Sequence, residues 1–218
     1  MPNWCFTKII FHGDKKEITD FHDKIDKWST EAFHPNGFGP NWLGNILYRV
    51  GLGDRVDARE NGIRCRGSII YVDDVEVNSE DATLFIEVET AWSPMLKMWV
   101  ETIKTLDYKT IGFSYLAEEI GMELYEIYDP YGDFPESYYV DTYLEGEDEN
   151  NDKLCTLQDW IYYSSEEDLV TNLQKVLETD EKELSVLIEK VENYPFKDDS
   201  SYVSVHKYER ISELEDLI

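Results

Sequence analysis

The chain is poor in cysteine and in positive charge. Cys5, Cys65 and Cys155 are odd in number, far apart and without a CxxC spacing, which excludes a disulfide framework and a zinc knuckle and fits a reducing cytoplasm. Only 20 Lys and Arg stand against 47 Asp and Glu, a formal net charge of -27 over 218 residues. Such a charge repels nucleic acid and anionic membrane and attracts basic protein surfaces, so direct DNA or RNA binding is not expected. No stretch approaches the roughly 18 consecutive apolar residues of a membrane span, and no basic segment with a following apolar run opens the chain. The expected setting is therefore the cytoplasm.

Motifs of chemistry are missing too. His12, His22, His34 and His206 form no HExxH pair and have no Cys partner at a zinc spacing;. The glycines of NGFGPNWLGN are followed by no Gly-Lys-Ser or Gly-Lys-Thr, so no phosphate cradle is expected there;. Cys5 falls inside a predicted strand, where burial opposes thiolate chemistry. No catalytic residue, metal or cofactor is assigned.

What remains is a globular composition with an acidic surface. Hydrophobic residues make up 42% and aromatics 14%, enough to build a core despite a charged fraction of 31%;. The triplet Pro-Asn-Trp occurs at residues 2–4 and again at 40–42. A tryptophan so near a chain end predicts that ordered structure begins at once.

Residues 3–12 are rich in aromatic and β-branched residues and predict a central strand. Ile18, Phe21, Ile25 and Trp28 then recur at helical spacing, with Asp14 as N-cap and Glu17 as its capping-box partner;. Residues 29–61 carry prolines and glycines and are expected to be an insertion loop, with a short helix around Trp42 to Val50. The runs IRCRGSIIYVDDVEV and ATLFIEVETAW predict a long hairpin. Ser93 and Pro94 predict the start of a second helix bearing Met95, Met98, Trp99, Ile103 and Leu106 on one face;. Two strands hinged near Gly121 follow, with ESYYVDTYL as a further strand.

The order strand, helix, strand, strand, helix, strand predicts an α+β fold, a ferredoxin-like split βαβ sheet with extra strands. Its expected extent is residues 1–143. LEGEDENND at 144–152 is expected to be an acidic linker, and 153–218 a small, mostly helical C-terminal unit. In that unit Leu169, Leu173, Val176 and Leu177 form one stripe, and Leu184, Leu187 and Val191 another, after Asp180 as N-cap. A last short strand and an acidic helix are expected within 202–218;.

MPNWC at the start, WLGN around Trp42, Arg66-Gly67, TAWSP at 90–94 and AEEIG at 117–121 occur in this order. Together they resemble the YubB-type ferredoxin-like domain family, small proteins carried by phages, plasmids and integrative elements. The resemblance covers roughly residues 1–141, and YDPYGDFPESYYVD at 128–141 is similar to the aspartate-rich, aromatic stretch that closes this region in the family. It implies the fold and a mobile-element setting. It brings no catalytic residues.

The steepest charge bias lies in residues 111–152, where thirteen acids stand with no Lys or Arg. Tyrosines are interleaved with them, a mixture suited to docking on a basic protein groove, because carboxylates can occupy phosphate positions and Tyr supplies contact area at low entropic cost. The expected docking residues are Glu118, Glu123, Glu126, Asp129, Tyr131, Asp133, Glu136, Asp141, Glu145, Glu147, Asp148 and Glu149. The expected function is a mobile-element anti-defence protein that inhibits a host nucleic-acid-handling complex, such as a CRISPR nuclease, by nucleic-acid mimicry. The alternative is a small-molecule- or metal-binding protein or enzyme with a cleft near Trp42, Trp92 and Glu118.

Overall fold

The computed structural model describes residues 3–31, 38–145, 154, 157, 161–196 and 198–214. The chain forms two compact units, Met1–Phe134 together with Arg210–Ile218, and Pro135–Glu209. The first strand begins at Trp4. Strand β1 (Trp4–Asp14) alternates, burying Cys5, Thr7, Ile9 and Phe11 and turning Trp4 and Phe6 outward;.

Helix α1 (Lys15–Thr30) starts where Asp14 Oδ1 accepts a hydrogen bond from Lys16 N at 2.8 Å. Glu17 does not complete a capping box. Its carboxylate instead accepts from Lys109 N, Thr110 N and Thr110 Oγ1 at 2.8 to 3.1 Å, tying α1 to a loop ninety residues away in sequence. Donors offered by the fold outcompeted the local cap. Within the loop after α1, a short helix α2 (Gly44–Arg49) buries Ile46 and Leu47.

The long first arm of the expected hairpin is broken in two, β2 (Gly67–Val72) and β3 (Glu76–Asn78), both antiparallel to β4 (Asp81–Ala91). The register slips between Ile69 and Tyr71. Asp73 explains the break, since its carboxylate accepts from Asp74 N and Tyr71 Oη and so offers the backbone a turn in place of the ladder;. Helix α3 (Leu96–Thr105) begins later than Ser93-Pro94 predicts and has no side-chain cap. The chain reverses at Trp92, which adopts a left-handed φ of 70°, and Ser93 O is taken by Thr90 Oγ1.

Strands β5 (Gly112–Glu119) and β6 (Leu124–Tyr128) complete the main sheet with β10 (Glu209–Arg210), giving the order β10-β6-β5-β1-β4-β2, with β3 also on β4. The inner four strands, β5-β1-β4-β2, are antiparallel neighbours linked by α1 and α3, the ferredoxin-like arrangement. Both helices pack on one face. There Phe11 meets Phe21, Trp99 and Phe113 with ring centroids 5.0 to 5.6 Å apart, and each such buried aromatic stabilises the fold by about 3 kcal/mol or more;.

The second unit contains the expected C-terminal helices and adds a three-stranded sheet to them. Strand β7 (Tyr138–Tyr143) leaves the first sheet and lies centrally in another, between β8 (Tyr162–Tyr163) and β9 (Tyr202–Lys207). The β7–β9 ladder runs from Tyr138 opposite Lys207 to Tyr143 opposite Tyr202, so the division falls after Phe134 and not at 144–152. Helices α4 (Glu166–Leu177) and α5 (Leu184–Glu192) bury Leu169, Leu173, Leu187 and Val191 in this unit's own core. Asp180 does not cap α5. Glu181 takes the orphan donors Lys182 N and Glu183 N, which holds its carboxyl below the usual range. Most of the expected linker, Cys155, His34 and the end of the expected terminal helix lie outside the described residues.

Candidate functional site

Segments far apart in sequence meet where β1 begins and β4 and β5 end. Trp92 N donates to Asn3 O at 2.9 Å, Ala91 N to Arg66 O at 2.9 Å, and Leu43 N to Gly67 O at 3.0 Å. Two glycines permit the close approach: a Cβ on Gly67 would fall 2.4 Å from Glu89 O, and one on Gly121 would fall 2.5 Å from Asn3 Nδ2. The five sequence segments MPNWC, WLGN, Arg66-Gly67, TAWSP and AEEIG thus share one end of the sheet. Of the first, Asn3, Trp4 and Cys5 are described.

The helix side of this end is polar and closed. Cys5 lies beside Thr7 Oγ1 at 3.7 Å, and burial pushes its thiol up to about 11, so it is held protonated and is no nucleophile;. Tyr115 Oη donates to Glu126 Oε1 at 3.0 Å; burial and that carboxylate push the phenol well above its ordinary value. Glu119, not Glu118, is the buried acid of the pair. Its Oε1 accepts from Gly121 N at 3.0 Å, while Oε2 is buried with no hydrogen-bond partner among the described residues.

The same end also exposes large apolar side chains. Trp4 is 41% exposed, Phe6 56% and Trp92 45%, with Ile120 at 50% and Met122 at 59% in the 3-10 turn Ile120–Met122 that joins β5 to β6. One row across the strands reads Ser68, Glu89, Phe6, Glu118, Tyr125, which places Phe6 between two carboxylate-bearing residues. The Arg66 guanidinium lies 5.0 Å from the centre of the Trp92 ring.

Glu126, Asp129, Asp133 and Asp141, four of the eight described docking carboxylates, accept or face internal hydrogen-bonding groups. Glu126 accepts from Tyr115, and Asp141 Oδ2 accepts from Tyr202 Oη at 3.0 Å. Asp129 is taken up fully: its oxygens accept from Ser114 Oγ, Gly132 N, Asp133 N and Phe134 N at 2.7 to 3.0 Å. Burial alone would raise its carboxyl, and these donors outweigh that and hold it below the ordinary aspartate range;. Asp133 Oδ2 is 2.7 Å from His12 Nε2, and Tyr131 stacks on the same imidazole with centroids 4.0 Å apart. A carboxylate near backbone N–H groups satisfies them before it serves a partner. Glu123 and Glu145 are exposed, whereas Glu118 and Glu136 are half-buried. Glu136, Asp141 and Glu145 belong to the second unit, the acids up to Asp133 to the first. Glu147, Asp148 and Glu149 lie outside the described residues.

Of the residues expected at the alternative cleft, Trp42 is packed in the first unit's hydrophobic core, Glu118 is half-buried and Trp92 is exposed. At the far end of the sheet a trough of about 760 Å³ is lined by His12, Asp14, Glu76, Asp81, Thr110 and Tyr131, among others. Among the described residues no three His, Cys, Asp or Glu side chains come together to hold a metal ion, and no helix is long and apolar enough to cross a membrane. The residues the sequence reading missed are Phe6, Ile120 and Met122. The signal for Phe6 was its parity: in a strand whose odd positions are apolar, a large aromatic at an even position faces outward.

No protein-family model, curated protein or solved structure matches this chain.

Proposed function

We propose that the protein acts by binding, docking on a basic nucleic-acid-binding surface of a host defence complex such as a CRISPR nuclease and standing in for the nucleic acid. The observation that carries this reading is the run of thirteen acids without one Lys or Arg over residues 111–152, within a chain of net charge -27. Excess charge of one sign steers encounter with the opposite sign and raises association rates. The resemblance to proteins of phages and plasmids supplies the setting in which blocking a defence complex is useful. The protonated Cys5 and the saturated Asp129 support a binding role, since neither is poised as nucleophile or base.

The test is affinity for a purified apo CRISPR nuclease across a salt series. Binding should weaken steeply as salt rises, because exposed charges more than a Debye length apart, about 10 Å at 0.1 M, are largely screened. Joint substitution Glu89→Gln, Glu118→Gln and Glu123→Gln should lower affinity at low salt and flatten the salt dependence. Affinity that is level from low to high salt, or indifferent to the three amides, would overturn the proposal.

A further inference from the structure

We infer that the apolar end formed by Trp4, Phe6, Trp92, Ile120 and Met122 is the anchor of that docking, and that it takes a basic protein segment presenting an apolar side chain beside Lys or Arg. The inference rests on the binding role proposed above and assigns it a place. Soluble proteins scatter single exposed apolar residues, but five large ones gathered from three segments mark an interaction surface;. Two of the five are tryptophans, the residue type most enriched among binding hot spots.

The backbone adds a second observation. Trp92 holds a left-handed φ of 70°, which is costly for a bulky side chain and persists only where its surroundings enforce it;. Its N–H is fixed on Asn3 O and its ring is covered on one side by Arg66, yet the ring stays 45% exposed. The fold therefore maintains strain to display an aromatic.

Charge decides the occupant. Phe6 sits between Glu89 and Glu118, and Glu123 is exposed beside Met122. A nucleic acid or an anionic bilayer meets these carboxylates with like charge. A second copy of this chain would bring the same carboxylates against themselves at -27 per copy;. A segment with alternating basic and apolar side chains satisfies both the ladder row and its flanks.

The probes are labelled synthetic peptides alternating Lys with Leu, Lys with Ser, and Glu with Leu, read by fluorescence anisotropy on the full chain. The Lys-Leu peptide should bind about tenfold more tightly than Lys-Ser, and the Glu-Leu peptide should not bind. Trp4→Ala with Phe6→Ser should lower Lys-Leu affinity about tenfold and leave Lys-Ser affinity unchanged, with circular dichroism confirming the fold. Val77→Ser, on exposed β3, serves as control and should change neither. Equal affinity for Lys-Leu and Lys-Ser overturns the apolar anchor and leaves charge-driven docking standing. No binding of either basic peptide overturns both readings. Binding of Glu-Leu, or a dimer in light scattering that Trp4→Ala dissolves, overturns the assignment of a basic partner.

Discussion

The two ends of the main sheet are built from the same strands and treat their side chains in opposite ways. At the far end, His12 is paired with Asp133 and Tyr131, Asp129 with four donors, and Glu17 with the backbone of residues 109 and 110. At the near end, Trp4, Phe6 and Trp92 are displayed, Trp92 is strained, and Glu119 Oε2 is buried without a partner among the described residues. Saturated polar groups and stacked rings are what a fold needs for itself. Exposed rings and strain are what it keeps for something else. Glu126, Asp129, Asp133 and Asp141, which looked functional in sequence, serve the first purpose.

Asp129→Ala should break this comparison most sharply. It removes an acceptor for four hydrogen bonds from a side chain only 5% exposed and leaves backbone N–H groups orphaned, so unfolding free energy should fall by about 3 kcal/mol in urea titration;. The pH dependence has a definite sign. A carboxyl lowered by the fold stabilises above its ordinary unfolded value and loses that contribution as pH drops below the ordinary aspartate range towards the folded value;. The wild type should therefore lose stability there faster than the variant. If Asp129→Ala instead kept full stability and lost docking, the acids of this loop would be a binding element after all.

Gly112→Ala probes the same end with a smaller effect. A Cβ there would fall 2.2 Å from Tyr131 Oη, so the ring must leave its place over Gly112, the residue paired with His12 across the ladder. Stability should fall by about 1 to 2 kcal/mol, and the His12 ring protons should lose the ring-current shift that the stacked Tyr131 imposes;. Docking affinity should not change. A loss of affinity at unchanged stability would move the binding surface to the trough beside His12.

Much of the fold was legible because its signals are local. Alternation marked β1, the Ile18, Phe21, Ile25 spacing marked α1, and Asp14 capped it as expected. What failed was decided at long range. β7 reads as a plain strand, and nothing nearby says that its ladder partner is β9, some sixty residues on. Glu17 fits a capping box until Lys109 and Thr110 arrive with three better donors. The site fared likewise: sequence shows that Asp129 and Asp133 are charged, but not that Ser114 and His12 already hold them. Trp4 drew notice by its place near the chain end. That it is displayed outward followed only from the register of β1 against β4.

The smallest effect is the most direct on strain. Trp92→Gly and Trp92→Ala both remove the ring and its contact with Arg66, so both should weaken docking of the Lys-Leu peptide alike. They differ only in the backbone. Alanine retains a Cβ at φ of 70° and keeps the cost, whereas glycine adopts that region freely at the expense of a more flexible unfolded chain;. If the left-handed turn survives in both, Trp92→Gly should be more stable than Trp92→Ala by about 1 kcal/mol. A glycine variant no more stable than the alanine variant would mean that the turn relaxes once the ring is gone. The indole would then be holding the backbone, and the near end, like the far end, would be packed for the fold alone.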